Sequence, residues 1–166
     1  KEYRRQRQMC IRDSVTGAVL SRLLGGKTDV IMMLNGALAG LVAITAEPLT
    51  PTPGFAILIG SIGSVIMYFG TKMLENVGLD DVVGAIPVHM FAGIFGTLIV
   101  PLTNKGVTFS SQFVGTLSVC VFSFVLSYII FKTMKATIGL RISKEAEKLG
   151  TDKAEVGVIA LSLIHI

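Results

Sequence analysis

Hydrophobic positions in this chain come in long blocks rather than in alternation. Four stretches hold no Asp, Glu, Lys or Arg: 30–46, 48–71, 82–104 and 106–131, of 17, 24, 23 and 26 residues. A helix needs about 20 such residues to cross the hydrocarbon core of a bilayer. Helices apolar on every side must be buried, and a chain of 166 residues offers no soluble interior for four of them. The pattern therefore predicts an all-α, polytopic transmembrane helical bundle in a lipid bilayer. Break points of glycine, proline and charge set the spans at about 29–45, 55–73, 82–102 and 109–135, with a partial helix over 15–24. Asp29 is placed to cap the first span. Asp80 and Asp81 precede the third as helix caps that also suit the positive end of its dipole. The loop over 47–54 contains Pro48, Pro51 and Pro53 and cannot continue a helix.

The basic residues follow this topology. Loops on one side, together with the tail, carry Arg22, Lys27, Lys72, Lys132, Lys135, Arg141, Lys144, Lys148 and Lys153, against Lys105 alone on the other side. Cytoplasmic loops carry the excess of Lys and Arg, so the C-terminal tail over 139–160 is expected in the cytoplasm of a multi-pass cell-membrane protein. Within it, the run KEAEK reads as a solvated helix face. Charged residues are 16% of the chain and mean hydropathy is +0.70, where soluble domains carry roughly 25% charge. A net charge of +4 does not indicate a nucleic-acid partner, because the cations form no single patch and tryptophan is absent.

The two ends share an origin in DNA. Residues 9–14, MCIRDS, back-translate to ATG TGT ATA AGA GAC AG, whose reverse complement translates as LSLIHI, the hexapeptide at 161–166. That DNA resembles the transposase end used in building sequencing libraries. We therefore expect 1–14 to be a non-native or adapter-derived leader and 161–166 to be adapter-derived, so that the gene supplies about 15–160. On this reading the chain is a fragment of a longer protein, and Cys10 and His165 are set aside. Cys120 alone then offers neither a disulfide nor a metal-ligand spacing.

His89 is the one histidine left, and it lies inside the third span, in GAIPVHMFAGIFG over 84–96. An ionisable group at membrane depth is costly and generally faces a bundle interior or a pathway. A neutral imidazole keeps one donor and one acceptor for passing a polar molecule or relaying a proton. The other reading is a histidine that hydrogen-bonds to a neighbouring helix. Pro87 cannot donate to the carbonyl of Val83 and is expected to kink the helix beside His89. Gly36 and Gly40 in the first span, and Gly93 and Gly96 in the third, suit close helix packing. Asn35 is read first as a packing residue, with a hydrogen bond across to another helix as the alternative. No catalytic, cofactor or metal motif is present, so neither an enzyme nor a metal site is expected.

These residues resemble the ammonium transporter (Amt/Rh/Mep) family. LNGALAGLVAITA over 34–46 resembles that family's Asn-Gly-x-Leu-Ala-Gly-Leu-Val-x-Ile-Thr-Ala segment. Asp80 and Asp81, then Val88 and His89, then GIFG over 93–96 resemble its aspartate pair, its Val-His and its Gly-Ile-Trp-Gly pattern. GLRIS over 139–143 and EVG over 155–157 resemble its tail. The resemblance implies a homotrimer of eleven-helix protomers, each with its own pore, of which this chain supplies the end of the seventh helix and the eighth to eleventh. His89 would be the second of the paired pore histidines. Ammonium would be deprotonated at an outer vestibule, ammonia would cross the apolar pore, and the histidines would assist proton transfer. A PII-type regulator at the tail is a family habit. Gly84 stands where a third aspartate is usual, Met90 where glycine follows the histidine, and Phe95 where tryptophan is common. The segment over 47–53 departs from the family's Gly-rich aromatic loop. The departures suggest a divergent subfamily. They also keep open a sensor or regulatory membrane subunit with little flux. A third possibility is an unrelated polytopic transporter.

Overall fold

The structure is a computed structural model and describes residues 2–49 and 51–157, without the side chains of 2–12 and 156. The hexapeptide at 161–166 lies outside the described residues. Helix α1 is Glu2–Gly25, α2 is Val30–Thr45 and α3 is Pro53–Val77. Helix α4, Ile86–Thr103, opens with a π-helical turn, Ile86–Phe91, and continues as α-helix from Ala92. Helix α5 is Phe109–Thr137 and α6 is Lys144–Leu149, followed by a π turn at Asp152–Val156. No strand occurs among the described residues.

Local chemistry accounts for the ends of these helices. The Asp29 carboxylate accepts from the Ile31 and Met32 amides at 2.8 and 3.2 Å, capping α2. Its own N–H donates to Ser21 Oγ at 3.2 Å, which ties the end of α1 to the start of α2. Thr52 caps α3, with Pro53 at the first helical position, where the missing N–H costs nothing. Gly78 ends α3 in the left-handed region at φ +76°, and the Leu79 amide reaches back to the Leu74 carbonyl at 3.0 Å. Helix α3 runs a turn beyond the expected 55–73, because residues 72–77 carry no breaker. Lys72 and Glu75 pair there at 2.9 Å. Helix α1 likewise extends upstream of 15–24, since residues 2–16 include no glycine or proline.

The chain divides into two units, one up to Ser118 and one from Val119. In the first, α2 packs against α1, α3 and α4. One apolar cluster joins Met32, Ala39, Met67, Tyr68, Val88 and Ala92, and a second joins Ala43, Ile44, Ala56 and Ile59. Small residues bring the backbones together. The buried Ser64 hydroxyl on α3 donates to the Gly36 carbonyl on α2 at 2.7 Å. At Gly96 the α4 backbone lies directly on the Ala43 carbonyl, whereas a Cβ at Gly93 would stand 3.6 Å from Val42, an ordinary contact. Beyond α4, Asn104 Nδ2 donates to Glu47 Oε2 at 3.0 Å, which ties the proline-rich loop to the end of that helix.

Helices α3, α4 and α5 are long and apolar enough to cross a membrane, while α2 has 16 residues. At 1.5 Å per residue α2 spans roughly 24 Å, short of the roughly 30 Å core. The second unit holds the rest of α5, then α6 with its Ser143 cap. No residue of α5 is buried, and its surface is dominated by Phe, Val, Leu and Ile.

Candidate functional site

The site is the start of α4. Helix dipole and capping predict that a carboxylate here should satisfy the first amides, and Asp81 does so from outside the helix. Its Oδ1 accepts from the Ala85 amide at 2.9 Å and its Oδ2 from the Ile86 amide at 2.7 Å. The Gly84 amide donates to the Asp81 carbonyl at 3.2 Å, and the Val88 amide donates to the Gly84 carbonyl at 3.1 Å. Pro87 has no amide to place. Every backbone donor from 84 to 88 is thus accounted for. Asp80 takes no part in this capping; it is exposed and lines a cavity of about 220 Å³. Thr71, Glu75, Asp81, Gly84 and Pro87 also line that cavity.

Helical structure begins at Ile86 rather than at the expected 82. Gly84 is the cause: its φ of +73° lies in the left-handed region, which breaks the run from Val82. A side chain at 84 would also collide, because its Cβ would lie 2.5 Å from Asn35 Nδ2 on α2. A glycine at the position where the resemblance leads one to expect aspartate therefore has a local steric reason.

Pro87 stands in the first turn of α4, where a missing N–H leaves no intrahelical carbonyl without a donor. The Val83 carbonyl, just before the helix, accepts from Asn35 Nδ2 on α2 at 3.0 Å. The turn that follows is π-helical, with the Ala92 amide reaching the Pro87 carbonyl five residues back as well as that of His89. Gly70 on α3 provides its seat: a Cβ there would lie 3.2 Å from Pro87 Cβ and 2.5 Å from Phe91 Cδ2.

Burial sorts the turn into two faces. Pro87, Val88 and Ala92 are buried against α2 and α3. Ala85, Ile86, His89 and Met90 are exposed, with Met90 at 50%. Among the described residues neither ring nitrogen of His89 has a hydrogen-bond partner, so no described helix holds the imidazole by a hydrogen bond. The open face thus offers one imidazole, able to donate and accept, beside Ile86 and Met90. Among the described residues no group of three His, Cys, Asp or Glu could hold a metal ion.

Sequence reasoning located His89, Pro87 and Asp81 but not the role of Ser64, or of Asn35 as the partner of Val83. Ser64 carried a signal, since Gly60 and Ser64 are small residues four apart. The Asn35 contact joins residues 48 apart in sequence and has no local signature.

The profile described as Ammonium Transporter Family matches residues 10–160. Ammonium transporter Amt2 of Archaeoglobus fulgidus is 37% identical over 167 aligned positions, covering 89% of this chain and 36% of its own length. Ammonium transporter Amt2 of Methanocaldococcus jannaschii is 33% identical over 150, covering 86% of this chain and 36% of its own. A solved structure titled Sensor Amt Protein superposes with a TM-score of 0.82 at 28% identity, over 91% of this chain and 40% of that one. The chain spans about a third of the length of the curated relatives it matches. A helical transmembrane bundle whose sequence matches over nearly its whole length leaves one assignment: the chain belongs to the ammonium transporter family.

Proposed function

We propose that the complete protein moves ammonium across the cell membrane as ammonia plus a separately handled proton, and that His89 is one of two pore histidines. The observation that carries this reading is the open face of the α4 turn. His89 is exposed there while Pro87 and Val88 beside it are buried, so the imidazole is left for helices outside this chain to enclose. A neutral ring in an apolar lumen can hand a proton on, whereas a bare cation in the same surroundings would be far more costly than ammonia. The function is transport rather than catalysis.

By the charge bias of its loops the tail is cytoplasmic, where a PII-type protein would bind, and three copies would assemble, each with its own pore. The full-length gene should restore growth of uptake-deficient cells on low ammonium. A well-expressed protein that fails to do so would contradict the reading.

A second reading, an ammonium sensor with little flux, is favoured by the likeness to a structure whose title names a sensor. Labelled methylammonium separates the two. Measurable uptake supports transport, and ligand-induced fluorescence change without uptake supports the sensor.

A further inference from the structure

We propose that the backbone carbonyl of Thr97, left without an amide by Pro101, is a binding point for ammonium on the outer half of α4. This rests on the reading of His89 as a pore residue and deepens it. Pro101 stands inside α4, whose α-helical part runs from Ala92 to Thr103. In that register the carbonyl of residue 97 would receive the amide of residue 101, and proline has none. The register holds on to the end of the helix, where the Asn104 amide donates to the Val100 carbonyl at 2.9 Å. Thr97 lies before the last turn, in which carbonyls lose their partners in any helix. No side chain among the described residues supplies the missing donor.

Burial sets the direction in which this carbonyl is available. Ala92, Gly96 and Val100 form the buried stripe of α4, with Gly96 against the Ala43 backbone of α2. Thr97 and Pro101 are half-buried beside that stripe. Met90, Thr97 and Pro101 are spaced by seven and then four residues, so they share one side of the helix, the side on which His89 is exposed. At 1.5 Å per residue Thr97 stands about 12 Å from His89, toward the outer end by the charge bias of the loops. Pro101 belongs to neither apolar cluster, so packing among the described residues gives no reason for a proline there. A carbonyl without a donor at membrane depth is costly, and freed backbone is tolerated where it lines a cavity. What it offers is an acceptor alone. Ammonium carries only N–H donors, and ion pathways use backbone carbonyls to replace a cation's lost water. The carbonyl would hold ammonium on its way to His89, before the proton is parted from it.

The test measures labelled methylammonium uptake by the full-length protein in proteoliposomes. Pro101→Ala restores the amide, closes the carbonyl and changes no polar side chain. Alanine is also the better helix former, so the variant should fold. We expect its KM to rise at least about threefold, in line with loss of one hydrogen bond to the substrate, with the maximal rate within about twofold of wild type. A carbonyl that holds only water would leave KM unchanged, and a defect confined to the maximal rate would mark a change of helix shape; either result overturns the proposal. Should Pro101→Ala fail to accumulate, Pro101→Ser supplies the same amide and carries the same expectation. Failure of the transport reading is distinguishable, since the wild type would then show no flux. Thermal stabilisation by ammonium, weaker in Pro101→Ala than in the wild type, would still report the contact. Equal stabilisation, or none in either protein, would overturn it.

Discussion

A buried carboxylate normally has its oxygens engaged, because an unpaired polar atom away from water is costly. Asp13 is 1% exposed, and its Oδ1 has no partner among the described residues. It is wedged against Gly40 and Gly60, neither of which has room for a Cβ beside it. If 9–14 is translated adapter, the residue at 13 was never selected for this niche. The uninterrupted gene should then encode a small uncharged residue there. Adapter-free sequencing of the genomic locus checks this, and an aspartate at that codon would contradict it. Gly84 makes a second prediction. Alanine there meets both the left-handed backbone and Asn35, and should destabilise the full-length protein by about 1–3 kcal/mol in detergent thermal unfolding. Met90 makes a third. It shares the open face with His89, so Met90→Gly should raise methylammonium uptake relative to ammonium by relieving crowding beside the imidazole; an unchanged ratio would show that Met90 does not border the path.

At the scale of elements, α4 is where local and tertiary forces diverge. The break points of charge, glycine and proline stand near the ends of α2, α3 and α5, whereas α1 runs well upstream of the expected 15–24, and His89 and Pro87 stand out because a histidine and a proline are rare inside an apolar run. The start of α4 was not legible in the same way. It depends on a φ at Gly84, on a carboxylate reaching four and five residues forward, and on an amide supplied from α2. The glycines show the same contrast. Gly36, Gly40, Gly93 and Gly96 look alike in sequence, yet a Cβ at Gly96 would collide with α2 backbone, which cannot swing aside, whereas one at Gly93 would meet a side chain at ordinary distance. Gly96→Ala should therefore cost about 1–3 kcal/mol of stability, as overpacking does, and Gly93→Ala about 0.5 kcal/mol or less. Equal melting temperatures for the two variants would contradict the packing of α4 on α2.

At the scale of the whole molecule, the first unit packs around α2 yet leaves one turn of α4 open, and α5 carries an apolar surface with nothing buried. Both facts suit a segment covering about a third of its relatives' length, whose open surfaces meet further helices, further subunits or lipid. The central claim is that the imidazole of His89 takes part in moving ammonium through the complete protein. Labelled methylammonium uptake into proteoliposomes, compared for the full-length wild type and His89→Ala at equal folded protein, tests it most directly. The account predicts clear wild-type uptake and a rate at least about tenfold lower in the variant, the lower range for a lost proton-handling group. Equal uptake by the two proteins would contradict it.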